Sequence, residues 1–486
     1  MDIEHGVTLS LTGKEPLLTA VFNPALNLSS HVYEIALLNL FTYNSIPNIT
    51  SANNNFYFYN YLNDVEILDK ECTYLLPSES LLYIEGRLVN AEGKGKATDI
   101  ELTNNCALHL FSEIQYRLNN QIIDHVRNPG IAVLMKGYAS FTPGEANSLQ
   151  NAGWGTRIEL KELVDNDGRF NFCIPLKMIL GFAEDYKKII INARHELVLI
   201  RSRQDINCIV SETADTKSKI VLENMHWEMP HVQVSEKQQI SLWNILKNDI
   251  SLRLAFRHWD LIESIAPEIN SWTWQIKFNT ALETASYVIL AFQSNRNSIT
   301  ADSSVFDKIN ISDLKVYLNS SKFPEENFAV DFDTKNTAQA FEMYANFQSL
   351  YYGDSGVRRR GNPLMNRTEF QNCPIFFIDC SHQDETLKSS IVDMKIEIEA
   401  KKAFAKNTIA YCLVIHDSVI EMTPSSNQVA KSTQIHSWKW KKEHIDTGVS
   451  DSPYLLRTLR EGCTSNDHTH GTADTPGTAV LAVEWR

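Results

Sequence analysis

The sequence predicts an all-β chain built as two tandem sandwiches with short helical insertions. Alternating apolar and polar residues bounded by Asn, Gly, Asp and Pro recur along most of the chain, far more often than helical periodicity does. An internal repeat with a period near 200 residues runs through it. The length of 486 residues suits two β domains, a class that runs to roughly 200–250 residues as one unit.

The strands follow from the alternation. From Ile391 to Ala400, Met394, Ile396 and Ile398 share one face while Lys395, Glu397 and Glu399 share the other, as a strand with one buried face requires. Further strands are expected at Leu82 to Val89, Glu113 to Leu118, Glu196 to Ile200, Tyr287 to Phe292, Leu314 to Leu318 and Tyr411 to Ile415. Between them, Asn119-Asn120 and Asp165-Asn166-Asp167-Gly168 supply residues that tolerate positive φ or cap their own backbone.

The repeat sets the domain plan. Glu113-Ile114-Gln115-Tyr116-Arg117-Leu118-Asn119 aligns with Asp313-Leu314-Lys315-Val316-Tyr317-Leu318-Asn319, 200 residues later. Each copy continues with a short helix, Ile131 to Phe141 or Ala338 to Leu350, and then an apolar strand, Phe170 to Leu176 or Pro374 to Asp379. The alternating strand follows, where Leu197 and Leu199 match Ile396 and Ile398, and Trp227-Glu228-Met229-Pro230 matches Ile420-Glu421-Met422-Thr423-Pro424. Five elements in one order at a nearly constant offset indicate duplication. The plan is therefore an arm over 1–20, a first unit over 21–234, a second over 235–430 and a tail over 431–486, with the boundary in the polar stretch Val234 to Gln239.

Composition excludes several classes. With 45 Lys plus Arg against 59 Asp plus Glu, the net charge of -14 argues against nucleic acid as the main partner, and no sequence-specific nucleic-acid binding is expected. No run approaches the roughly 18 apolar residues of a membrane span, and the start, MDIEHGVTLS, lacks the basic and apolar regions of a signal peptide. A chain that stays in the cytoplasm or nucleus is expected, its eight scattered cysteines reduced and mostly buried. The sequons at Asn27, Asn48, Asn310, Asn319 and Asn366 then read as loop polarity.

Chemical motifs are sparse. Gly13-Lys14 is followed by Glu15, which lacks the hydroxyl a phosphate-bound magnesium needs, and His195-Glu196 lies in a strand with no second histidine on its face. Asp331, Asp333 and Glu342 stand at positions 1, 3 and 12 of a calcium-loop spacing, but Lys335 and Asn336 occupy a ligand and the turn glycine position. His468 and His470, with Asp467 and Asp474, offer ligand types for a borderline metal in a polar tail, where a histidine pair more often has no such role. The expectation is no catalytic residue, no cofactor and no metal. Two features suggest contacts instead. Arg358, Arg359 and Arg360 lie in a Gly-rich loop that suits acidic residues across an interface, and a plain exposed basic loop fits equally. Trp438 and Trp440, among lysines, suit an arm packing on a neighbouring subunit ahead of stacking on single-stranded nucleic acid or nuclear import.

The hairpin Ala107-Leu108-His109-Leu110-Phe111-Ser112-Glu113-Ile114-Gln115-Tyr116-Arg117-Leu118-Asn119-Asn120-Gln121-Ile122-Ile123-Asp124 resembles that of double jelly-roll major capsid proteins. Further likeness lies in Tyr287-Val288-Ile289-Leu290-Ala291-Phe292-Gln293, Val316-Tyr317-Leu318-Asn319 and Ala410-Tyr411-Cys412-Leu413-Val414-Ile415-His416-Asp417. The resemblance covers roughly residues 20 to 430 and is nearest to capsid proteins of polinton and adintovirus-like elements, relatives of the adenovirus hexon and of the large nucleocytoplasmic DNA virus capsids. It implies two tandem eight-stranded jelly rolls in a non-enzymatic capsid subunit. Such a subunit trimerises into pseudo-hexameric capsomers and builds an icosahedral shell for a double-stranded DNA virus or an endogenous viral element. The implied partners are further copies of the chain, neighbouring capsomers, and penton and minor capsid proteins. The implied location is the virion, after synthesis in the host cytoplasm, with the nucleus open as a place of assembly. The tail from Lys431 to Arg486 matches nothing in that family.

Two other classes remain from the residues alone. A soluble glycan-binding sandwich of lectin or adhesin type would display loop aromatics and Asn residues. A jelly-roll metalloenzyme would need two or three histidines and a carboxylate on neighbouring strands, a spacing that His109, His195 and His416 do not show.

Overall fold

The computed structural model describes residues 8–10, 17–19, 36–43, 55–60, 73–90, 100–213, 218–276, 285–296, 298–352, 361–382, 393–426 and 428–431. The first half of the chain carries strands β1 (Thr8–Ser10), β2 (Leu17–Thr19), β3 (Ala36–Tyr43), β4 (Asn55–Asn60), β5 (Thr73–Leu75), β6 (Leu81–Asn90), β7 (Ile100–Leu102), β8 (Phe111–Leu118), β9 (Gln121–Arg127), β10 (Arg169–Pro175), β11 (His195–Arg201), β12 (Ile209–Ser211) and β13 (Ser218–Gln233). The second carries β14 (Leu252–Ile265), β15 (Ser271–Ile276), β16 (Ala285–Ser294), β17 (Ile311–Leu318), β18 (Ser321–Phe323), β19 (Phe376–Asp379), β20 (Met394–Ala400), β21 (Thr408–Thr423) and β22 (Gln428–Lys431).

Strand order shows the duplication directly. One sheet of the first half runs β3-β13-β6-β10, and its counterpart in the second runs β14-β21-β16-β19. The partner sheets run β4-β11-β8-β9 and β15-β20-β17-β18. Both hairpins turn the same way. Asn119 and Asn319 adopt left-handed φ of 49° and 52°. Each donates its backbone N–H to the chain entering the neighbouring strand, at Arg194 and Asp393, and accepts the N–H of that same residue through its side chain. Asparagine suits both positions because it tolerates that conformation.

Alternation places the core as expected. Met394, Ile396, Ile398 and Ala400 are buried and Glu399 is exposed. Across the first sandwich, Tyr116 of β8 meets Trp227 of β13 edge-on, so the two sheets share one interior. In the second, Phe404 lies between Phe292 of one sheet and Trp272 of the other. At the tight turn before β10, Asp165 accepts the N–H groups of Asp167 and Arg169, and Gly168 takes φ of 82°.

The expected helices are α2 (Pro129–Ser140) and α8 (Ala338–Tyr352), each preceding an apolar strand. Shorter helices α1 (Cys106–His109), α3 (Pro143–Ser148), α4 (Arg157–Glu162), α5 (Leu176–Ile179), α6 (Gly181–Asp185) and α9 (Arg367–Asn372) fill the connections. Among the longer helices, one was not foreseen. The polar stretch near Val234 holds Ser235, which caps α7 (Glu236–Lys247) reciprocally with Gln238. Its Leu242, Ile245 and Leu246 form a small cluster with Ile191 and Leu252. The described cysteines Cys106, Cys208, Cys380 and Cys412 are buried. No helix among the described residues is long and apolar enough to cross a membrane.

Candidate functional site

The most distinctive chemistry lies where the two sandwiches meet, in a seam of buried charge. Helix α6 of the first sandwich lies against β14 of the second, and Gly181 permits the approach: a Cβ there would sit 1.8 Å from the carbonyl oxygen of Arg257. That brings Asp185 onto Arg257. The guanidinium donates to the carboxylate at 2.5 Å through Nη2 and 2.9 Å through Nε, and the Arg257 backbone N–H adds a third bond at 2.8 Å. Arg257 also donates to the Tyr351 carbonyl on α8.

Beside this pair, Lys136 of α2 is only 1% exposed and forms an ion pair with Glu184. Its ammonium lies 4.7 Å from the ring centroid of Trp259 and 5.2 Å from that of Tyr351. Burial pushes the Lys136 pKa down, and Glu184 opposes the shift. Glu184 also accepts the Tyr351 and Tyr352 hydroxyls at 2.7 and 2.9 Å, so side chains of the second sandwich complete the hydrogen bonding of a buried carboxylate of the first.

A second polar cluster lies on β9, β14 and β21. His258 and Asp260 are two residues apart on β14 and share a face, and His416 of β21 is the direct cross-strand neighbour of His258. From β9 come Asp124 and His125. Asp124 Oδ1 lies 2.6 Å from His258 Nδ1, while its other oxygen accepts the Phe182 N–H. His258 Nε2 faces Asp260 Oδ1 at 3.3 Å, and His416 Nε2 lies 3.5 Å from Asp260 Oδ2. Burial alone would lower the His258 pKa, but Asp124 and Asp260 raise it to about 10. The His125 ring packs against His258 at 5.1 Å.

The histidines weighed in the sequence are thus divided. His109 and His195 are separate and buried, with burial lowering both to about 3, and His195 pairs with the Tyr116 hydroxyl at 2.6 Å. His416 lies 3.5 Å from Asp260, and beside it His125, His258 and Asp260 bring two histidines and a carboxylate together on neighbouring strands, an arrangement the sequence spacing did not show. The missed signal was His258-Trp259-Asp260, a one-face pair on a strand. The calcium-loop spacing has another use. Asp331 accepts the N–H groups of Asp333 and Thr334 and pairs with Lys401 at 2.5 Å, and Glu342 bonds Asn346 along α8. Asn310, Asn319 and Asn366 serve as turn and cap residues. Arg358, Arg359, Arg360, Trp438, Trp440, His468 and His470 lie outside the described residues, as does the Gly13-Lys14 segment.

Duplicated sheets of one strand order, joined by such a seam, define a class. Residues 100–420 match the double jelly roll-like domain, and the chain belongs to that family. Its fold is all-β, a double jelly roll. Among solved structures, the Sputnik virophage structure aligns with 91% of this chain and 98% of its own at a TM-score of 0.51 and 10% identity. A chain of the PBCV-1 virus capsid aligns with 78% of this chain and 92% of its own at 0.48 and 9%. The mavirus major capsid protein aligns with 90% and 97% at 0.46 and 10%. Among curated proteins, none matches the chain by sequence.

Proposed function

We propose that the chain is a major capsid protein, three copies of which form a pseudo-hexameric capsomer that tiles an icosahedral shell. The observation that carries this reading is the duplicated strand order held by a buried charged seam. Two near-equivalent lobes at a fixed mutual angle make a rigid block. Three such blocks, joined head to tail, close into a ring with six lobes. The proposed units are 21–234 and 235–430, flanked by an arm over 1–20 and a tail over 431–486. The source would be a double-stranded DNA virus or an endogenous element of polinton or adintovirus type, and the location the virion. No catalysis is required of it. Arg358, Arg359 and Arg360 would pair with acidic residues of an adjoining subunit, and Trp438 and Trp440 would anchor the tail on a neighbour. Penton and minor capsid proteins are the further partners.

Oligomeric state tests the reading. Light scattering of the full chain at micromolar concentration and moderate salt is expected to give about three times 55.3 kDa, or a shell. Negative-stain images should show hexagonal particles. A dispersed monomer across a range of salt would overturn the proposal and favour the glycan-binding sandwich instead.

A further inference from the structure

Nothing in the capsid reading accounts for the histidine cluster between β9, β14 and β21. We propose that His125, His258 and Asp260 bind a divalent transition metal, zinc by its donor set, with the fourth position left to solvent, and so pin the first roll to the second. This replaces the expectation of a metal-free chain.

Three observations carry it. The ligand atoms of His125, His258 and Asp260 all lie within 4.8 Å of one another, with two imidazoles and one carboxylate as the donor set. Zinc bonds of about 2.0–2.1 Å in a tetrahedron separate adjacent ligands by roughly 3.3–3.4 Å. The separation of 3.3 Å between His258 Nε2 and Asp260 Oδ1 already matches that edge. The His125 ligand atom lies within 4.8 Å of both, and among the described residues its ring makes no hydrogen bond.

An outer partner is also in place. Metal-bound histidines usually hold their second nitrogen against a carboxylate or carbonyl, which fixes the ring. His258 Nδ1 lies 2.6 Å from Asp124, itself anchored by the backbone N–H groups of His125 and Phe182. The other nitrogen of His258, Nε2, is the atom turned toward Asp260.

Two carboxylates, Asp124 and Asp260, flank His258, and their charge favours a cation there. Asp260 is 31% exposed in its side chain, so the site opens to solvent and metal can enter. The ligands come from both rolls, and the bound ion therefore becomes a cross-link between them.

Cobalt serves as the probe. Full-length protein stripped with chelator is titrated with Co²⁺ and read by visible absorption, then back-titrated with Zn²⁺. The expected result is one Co²⁺ per chain with the intense d–d bands of a four-coordinate site, bleached by one Zn²⁺. His125→Ala and Asp260→Asn should each weaken binding by more than about 100-fold, beyond the roughly 10–100-fold of an outer-partner loss such as Asp124→Asn. The paired change His468→Ala with His470→Ala should leave the spectrum intact. Absence of the bands at stoichiometric cobalt, or bands that survive His125→Ala, or bands lost with the two tail histidines, would each overturn the assignment. If Asp260→Asn fails to fold, His125→Ala decides alone, because its ring is half-buried and bears no hydrogen bond among the described residues.

Discussion

Replacing Asp185 by Ala should destabilise the chain strongly, because it removes the counter-charge of Arg257 from the middle of the seam. The side chains of Arg257 and Asp185 are only 8% and 5% exposed, so water cannot take over the lost bonds at 2.5, 2.9 and 2.8 Å. Breaking a buried pair in this way typically costs about 3–5 kcal/mol, most of it the penalty of a stranded charge. For a cooperative unit of 150–250 residues, 1 kcal/mol moves the midpoint by about 2–4 °C, so a fall of about 6–20 °C is expected. Asp185→Ala combined with Arg257→Met removes both charges and should recover most of the loss, since an apolar replacement of a buried pair is often neutral. Scanning calorimetry of the three proteins at pH 7 measures all of this. A single variant melting within 2 °C of the parent, or a double variant no more stable than the single one, would refute the reasoning.

Two other perturbations probe the core and its titration. Ile396 is fully buried on β20, so Ile396→Asp should abolish soluble protein at a cost of several kcal/mol, whereas Glu397→Ala, a change on the other face, should stay within about 1 kcal/mol; equal yields of both would show the strand facing to be wrong. The pH profile should show acid sensitivity from His109 and His195, whose burial lowers both from 6.5 to about 3. A depressed folded-state pKa means that their contribution is complete above pH 6.5 and is lost as pH falls toward 3, since the unfolded chain takes up protons the folded one refuses. At pH 5 the loss is about 2 kcal/mol per histidine. Midpoints measured from pH 7 to 4 should fall, and fall less for His195→Gln. A flat profile would contradict the burial of these rings.

The sequence by itself determined the parts whose physics is local. Period-two alternation places Met394, Ile396 and Ile398 in the core because successive side chains on a strand must point to opposite faces. The two Leu-Asn turns announced equivalent hairpins because asparagine accepts positive φ at both. The repeat was legible because the same turns, helices and apolar strands must recur in order to build the same sheet twice. Helix α7 escaped notice because its start reads as a polar linker, and only the reciprocal bonds of Ser235 and Gln238 turn it into a cap. The seam was not legible at all. Asp124 and His258 are 134 residues apart, and Asp185 and Arg257 are 72 apart, with no periodicity linking them. Each reads alone as an ordinary polar residue of a strand or helix. Only docking one folded sandwich on the other excludes water from these charges and places each beside its opposite, because burial and pairing belong to the packing of two surfaces and to neither segment of chain.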